Sequence, residues 1–163
     1  MSMLATKEVN ASCMEYMSME IVSYITKSSA NLAPDAVFYK LEKLGFDVGQ
    51  RLVERRAKDR RRFQDHLEII KFVCTELWTD AYGKPIDNLR TNHKGVFMLI
   101  DSEFRWLKNL SGHTKADAQK YVVIPSGMIR GALSIMGLQA TVVADCSEFP
   151  GCSFTVKITP QTV

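Results

Sequence analysis

The sequence predicts an α/β protein of the α+β type, with roughly four helices packed on one face of an antiparallel sheet. Three observations predict this fold. Long segments with apolar residues at helical spacing come first, short alternating segments joined by tight turns follow, and one further helical segment separates two groups of strands. Because the strands are joined by short turns, they pair antiparallel, and the helices collect on one side of the sheet.

Length and composition are those of a single globular domain. The chain has 163 residues, of which 46% are hydrophobic and 24% charged. It has no apolar run long enough to cross a membrane, and its start lacks the basic-then-apolar layout of a signal peptide. We therefore expect a cytoplasmic protein, with residues 1–12 as a flexible N-terminal tail and residues 13–163 as one domain.

The first predicted helix begins at Ser12 and ends near Ser28. Ser12 and Glu15 have the spacing of a capping box. The apolar residues recur every three or four positions, at Met14, Met17, Ile21, Tyr24 and Ile25.

The second predicted helix, from Pro34 to Arg56, has two adjacent apolar stripes. One consists of Val37, Leu41, Leu44, Val48 and Leu52, and the other of Phe38, Gly45, Gly49 and Val53. One neighbour cannot cover so wide a face, so we expect this helix to pack on its own domain and on something else. Since glycine costs roughly 1 kcal/mol relative to alanine in a helix, Gly45 and Gly49 indicate that another backbone comes close.

The remaining elements complete the predicted sheet. A third helix runs from Phe63 to about Ala81, and a fourth from Lys115 to Met136, with Pro125 inside it and Gly137 as its C-cap. Predicted strands cover Ile86–Arg90, Gly95–Asp101, Phe104–Leu110, Gln139–Ser147 and Ser153–Thr159. Gly127 and Gly131 repeat the spacing of the glycines in the second helix and indicate a second close backbone contact.

The sequence contains no set of residues that indicates catalysis. No cysteine or serine is paired with a histidine and an orienting acid, and no glycine-rich phosphate loop is present. The cysteines and histidines lack zinc-site spacing. We expect no cofactor and no metal, and we do not expect an enzyme.

One basic run stands out, although the net charge is only +3. It consists of Arg51, Arg55, Arg56, Lys58, Arg60, Arg61 and Arg62. The run has three interpretations: a solvated helix end, a docking face for anionic lipid or an acidic protein, or a nucleic-acid surface. The last is disfavoured because no aromatic residues alternate with the arginines.

Several motifs resemble one known family. Leu41-Glu42-x-x-Gly45-Phe46-x-Val48-Gly49-Gln50, Phe72-x-Cys74-x-x-x-Trp78 and the polar run from Ile86 to Gly95 are similar to the subunit-6, or 33-kDa-type, branch of the transport protein particle (TRAPP), in the Bet-type family. The segment from Gly127 to Leu133 resembles a late helix common to the whole family.

The resemblance implies an architectural role. The chain would be a non-catalytic structural subunit of a vesicle-tethering complex acting in ER-to-Golgi transport and supporting nucleotide exchange on a Rab GTPase. It would lie peripherally on Golgi and endoplasmic reticulum membranes. The first two helices would form a heterodimer with a Bet-type paralogue, and further TRAPP subunits would join; a homodimer of the isolated chain stays open. We expect the dimer interface to contain Met17, Ile21, Tyr24, Leu41, Leu44, Val48 and Leu52.

One departure from the family concerns acylation. The founding branch has an acylated cysteine just before the third helix, where this chain aligns Phe63. We therefore expect no acyl chain there, with the ring filling the mouth of the tunnel instead. Two other functions stay open: a single-domain protein that binds a lipid or small molecule, and a nucleic-acid binder acting through the basic run.

Overall fold

A computed structural model describes residues 9–58, 60–110 and 115–159. The helices are α1 (Ala11–Ser28), α2 (Pro34–Ala57), α3 (His66–Phe72), α4 (Trp78–Tyr82), α5 (Arg105–Lys108) and α6 (Lys115–Ile135). The strands are β1 (Asn88–Thr91), β2 (Val96–Asp101), β3 (Ala140–Asp145) and β4 (Cys152–Ile158). The strands form one antiparallel sheet in the order β1-β2-β4-β3, so the predicted fold class is confirmed.

The sheet has one buried face and one uncovered face. Phe97 and Leu99 of β2 and Phe154 and Val156 of β4 point into the core. On the opposite face, the register aligns Arg90, Met98, Thr155 and Val143 in one row across the four strands. The alternation follows from the period of two along each strand.

Helices α2 and α6 pack with their backbones in contact. A Cβ atom at Gly45 would lie 2.0 Å from the Ile124 carbonyl oxygen, and one at Gly131 would lie 2.0 Å from that of Phe46. Gly49 and Gly127 meet Met128 and Glu42 in the same way, at 2.1 Å. The close backbone contacts expected at both glycine pairs are therefore present. The glycines of α2 leave room for the backbone of α6, and the glycines of α6 leave room for the backbone of α2. Gly45 meets Ile124 and Gly49 meets Met128, so residue numbers rise in the same direction along the two helices. Helices α2 and α6 therefore run parallel.

The segment from His66 to Tyr82 is one helix interrupted by a π-helical turn at Val73–Leu77. Its N-cap is Asp65, whose side chain accepts from the Glu68 N–H, so the helix begins later than the predicted Phe63. The Cys74 carbonyl accepts from the Ile86 N–H at 2.8 Å. Residue 86 is thus attached to this helix, and β1 begins at Asn88 rather than at the predicted Ile86.

The predicted strand Phe104–Leu110 is wrong. Residues 105–108 form the helical turn α5, with the Leu107 N–H donating to the Phe104 carbonyl at 3.0 Å. Phe104, Leu107 and Leu110 are all buried, and their spacing of three is that of a helical turn. An apolar segment this short does not distinguish a strand from a buried turn.

The first helix begins at Ala11, slightly earlier than predicted. Its N-cap is Asn10, whose side chain accepts from the Ser12 N–H, so Ser12 is not the cap. Glu15 instead accepts hydrogen bonds from Arg105 and Asn109 and ties α1 to α5. Of the expected tail 1–12, residues 9–12 are described, and residues 11 and 12 belong to α1; residues 1–8 lie outside the described residues.

Candidate protein–protein interface

Helix α1 presents an apolar stripe to solvent. Val22 and Ser18 are buried on its inner side. Along the flank beside them, Met14 is 51% exposed, Met17 is 49% exposed and Tyr24 is 72% exposed. These three residues are spaced three and seven apart, which places them on one face of the helix.

One apolar face of helix α2 is covered by the rest of the chain in its first half and exposed to solvent in its second half. Val37 and Leu41 are buried, with 9% and 0% exposure. Leu44 and Val48 follow on the same face and are 36% and 39% exposed. The positions fall within roughly 60° of one another around the helix axis. The stripe is therefore core at its start and uncovered in its second half.

The structure divides the predicted interface residues into three groups. Met17, Tyr24, Leu44 and Val48 are exposed and available to a partner. Ile21 and Leu52 are half-buried and pack against the core. Leu41 is completely buried within its own chain, so its assignment to the interface is corrected: it is a core residue that supports the uncovered face. Met14 was omitted from the predicted interface, although its spacing to Met17 places it on the same stripe.

Two arginines of the basic run bind carboxylates of their own chain. Arg56 donates to Asp80 of α4 through two nitrogens, and Arg60 pairs with Glu76. The hydrogen bonds from Arg56 hold the pKa of the Asp80 carboxyl below its usual range. These pairs fasten the end of α2 and the segment after it to the long helix 66–82.

Arg60 also takes part in an aromatic contact. Its guanidinium lies 5.4 Å from the ring centre of Phe63 and 5.0 Å from that of Phe72. The two rings are 5.2 Å apart. Phe63 is therefore held half-buried against the core.

The other members of the basic run form no ion pair with any described residue. They are Arg51, Arg55, Lys58, Arg61 and Arg62, and all five are exposed. The basic run thus contains two kinds of residue. Arg56 and Arg60 form ion pairs within the chain, and the other five form none with the described residues.

The polar run from Ile86 to His93 shapes the β1–β2 hairpin. Asp87 accepts from the Ser102 N–H at 2.8 Å and pairs with Lys84 at 2.9 Å. Lys84 also lies 2.6 Å from the buried Asp101, which accepts from the Trp78 indole at 3.0 Å. These contacts hold the start of β1 against the end of β2.

The turn of this hairpin is built by side chains of the same run. Asn92 Oδ1 accepts from the N–H groups of Lys94 and Val96, at 2.8 and 3.1 Å. His93 adopts a φ of 56° and Gly95 a φ of 83°, which close the turn. These contacts give Asp87 and Asn92 a structural role in the hairpin.

In the described part of the chain, no group of three or more histidine, cysteine or acidic side chains is arranged to hold a metal ion. None of the described helices is long and apolar enough to cross a membrane.

The parallel helix pair and the sheet covered on one face define a class of protein: a small α+β domain with uncovered apolar stripes on α1 and α2. A family model for the transport protein particle (TRAPP) component matches residues 14–159. The chain belongs to this family. It is therefore a subunit of the trafficking-complex type, which associates with other subunits of that particle.

Two curated relatives indicate the branch. The chain is 40% identical over 147 residues to "Trafficking protein particle complex subunit 6b" of Danio rerio, covering 88% of this chain and 94% of that protein. It is 43% identical over 143 residues to subunit 6B of Homo sapiens, covering 85% of this chain and 90% of that protein. The predicted membership of the subunit-6 branch is confirmed.

Solved structures support the fold at lower identity. Subunit 3 of the particle from Naegleria fowleri, covalently bound to palmitic acid, has a TM-score of 0.70 and 18% identity, covering 90% of this chain and 95% of that one. An H-NOX protein from S. oneidensis has a TM-score of 0.57 and 12% identity, covering 98% of this chain and 82% of that one. At these identities both matches concern the fold alone.

Proposed function

We propose that this chain is a structural, non-catalytic subunit that forms a heterodimer with a Bet-type paralogue through α1 and α2. Through that dimer it enters a vesicle-tethering complex that acts between the endoplasmic reticulum and the Golgi and supports nucleotide exchange on a Rab GTPase. The complex would bring it to those membranes peripherally.

One observation carries the proposal: the apolar face of α2 is uncovered at Leu44 and Val48, while its first half is core. Met14, Met17 and Tyr24 add a second uncovered stripe on α1. A stable dimer buries roughly 1,200 to 2,000 Å² in total, and two amphipathic helices from each partner are enough to supply that area. Methionine and tyrosine are also enriched at protein–protein interfaces relative to the rest of a protein surface.

The test is native mass spectrometry of the purified chain mixed with the acylated-type paralogue encoded by the same genome. We expect a one-to-one heterodimer. Leu44→Asp places a charge in the centre of the proposed contact and should abolish pairing, because an unpaired buried carboxylate is strongly disfavoured.

Leu67→Asp is the matched control. Leu67 has the same 36% exposure as Leu44 but lies on α3, outside the proposed interface. It should pair like the wild type, and circular dichroism should report both variants as folded. Normal pairing of a folded Leu44→Asp variant would refute the interface.

A further inference from the structure

The uncovered face of α2 changes from apolar to basic along its length. Leu44 and Val48 are followed at helical spacing by Arg51 and Arg55, which we call the basic pair. Around the helix axis all four residues fall within roughly 60° of one another. A partner helix laid on Leu44 and Val48 and extending along α2 therefore meets both guanidinium groups.

Neither member of the basic pair forms an ion pair with a described carboxylate of its own chain, although the charge of Arg55 contributes to lowering the pKa of Asp80. Where cations of the same run serve the fold, the chain supplies a carboxylate: Asp80 for Arg56 and Glu76 for Arg60. Arg51 and Arg55 take part in no such ion pair and stay exposed. No ion pair with a described residue of the chain holds either side chain in place.

The arrangement is also unfavourable for the isolated helix. Like charges four residues apart repel each other on one face. The helix dipole favours a cation in the last turn, which accounts for Arg55 but not for Arg51, since α2 ends at Ala57. A complementary charge from outside would turn this repulsion into attraction.

We infer that the partner's contacting helix carries carboxylates opposite Arg51 and Arg55. In this inference, which rests on the proposed heterodimer, Leu44 and Val48 supply the buried apolar contact. The basic pair forms charge-assisted hydrogen bonds at its edge, which set the orientation and register of the partner helix and speed the encounter. An apolar stripe alone would let a partner helix slide or reverse; two fixed cations at one end permit one orientation.

The experiment measures the association rate constant of the full chain with the acylated-type paralogue by stopped flow, at low salt and again at high salt. In the variant Arg51→Glu/Arg55→Glu we expect an association rate constant about tenfold lower at low salt. The salt response should also change sign: salt slows the wild type by screening attraction, and speeds the variant by screening repulsion.

Arg61→Glu/Arg62→Glu is the matched control. It changes the net charge by the same amount within the same basic run, but beyond the end of α2 at Ala57. The inference requires that this variant keep a wild-type rate with the wild-type sign of salt response. Equal slowing by both double variants would overturn it, because the effect would then be one of net charge.

The remaining outcomes separate this inference from the proposed function. If Leu44→Asp abolishes pairing and Arg51→Glu/Arg55→Glu does not alter it, the heterodimer stands and the acidic partner surface is wrong. If Leu44→Asp pairs normally, the proposed interface itself fails. If the basic-pair variant pairs normally but loses binding to vesicles containing phosphatidylserine, these arginines serve a membrane and the inference is overturned.

Discussion

Gly49 of α2 lies so close to Met128 of α6 that a Cβ atom at position 49 would be 2.1 Å from the Met128 carbonyl oxygen. Carbon and oxygen atoms cannot approach to that distance without displacing a backbone. The obstacle is a main-chain carbonyl within a helix, so it cannot rotate away as a side chain would. The parallel packing of α2 and α6 therefore depends on hydrogen as the side chain at this position.

The variant Gly49→Ala should destabilise the fold despite its higher helix propensity. Alanine gains roughly 1 kcal/mol over glycine in an unconstrained helix. Overpacking of a core costs about 1–3 kcal/mol, and here the rigid backbone puts the cost at or above the upper end of that range. We expect a net loss of about 2 kcal/mol or more in the free energy of unfolding, measured by urea denaturation.

Glu54→Ala on the exposed side of α2 is the control for propensity, since Glu54 forms no ion pair with the described residues. It should change stability little. A Gly49→Ala variant as stable as the wild type would mean that separating the two backbones costs no more than the roughly 1 kcal/mol gained in helix propensity.

The Arg56–Asp80 pair predicts a loss of stability in acid. The hydrogen bonds from Arg56 lower the pKa of Asp80 below its ordinary value of 3.8. A carboxyl whose folded pKa is lowered stabilises the protein above the unfolded value, and this stabilisation disappears as the pH falls through the folded value. Asp80→Asn should thus be less stable than the wild type at neutral pH, and the difference should vanish well below pH 3.8.

A double-mutant cycle isolates this contribution. Arg56→Gln should cause the same pH-dependent loss, and the double variant should lose little more than either single one. The measurement is the urea midpoint of the four proteins at neutral pH and in acid. A difference that stays constant with pH would show that Asp80 acts through packing rather than through its charge.

The four cysteines should differ sharply in reactivity. Burial raises the pKa of the Cys74 thiol to about 12 and that of Cys146 to about 11, and it raises the pKa of Cys152 further. Only the thiolate is the nucleophile, so these three should resist alkylation in the folded protein. Cys13 is exposed and should react first.

Intact mass after brief treatment with iodoacetamide at pH 8 should show one adduct, and four after unfolding in guanidinium. Cys13→Ser should remove the fast adduct. Rapid modification of Cys146 or Cys152 in the folded protein would indicate that the β3–β4 hairpin opens readily.

The position of Phe63 predicts that this chain carries no acyl group there. Phenylalanine has no nucleophile, and its ring lies 5.2 Å from that of Phe72. The chain isolated from a eukaryotic host should have its unmodified mass, while the acylated-type paralogue prepared alongside serves as the positive control. An added acyl mass removed by hydroxylamine would contradict this expectation.

Local patterns were enough to predict much of the fold. Pro34 at the first position of α2 and Gly137 with its positive φ mark helix ends by their own backbone chemistry. The two glycine pairs predicted close contact correctly because glycine in a helix is costly unless space demands it. The predicted strand Phe104–Leu110 was wrong because a short apolar segment does not show whether its buried residues follow the spacing of a strand or that of a helix.

The sequence by itself determined the fold class, most helices and the family, since periodicity, capping and motifs are properties of neighbouring residues. Only the tertiary structure decided how exposed each residue is. Leu41 and Leu44 are equally apolar and lie on one helix face, yet the first is core and the second 36% exposed. Arg56 and Arg55 are adjacent, yet only Arg56 pairs with Asp80. Burial and pairing depend on which distant segments meet, and residue type alone does not specify that.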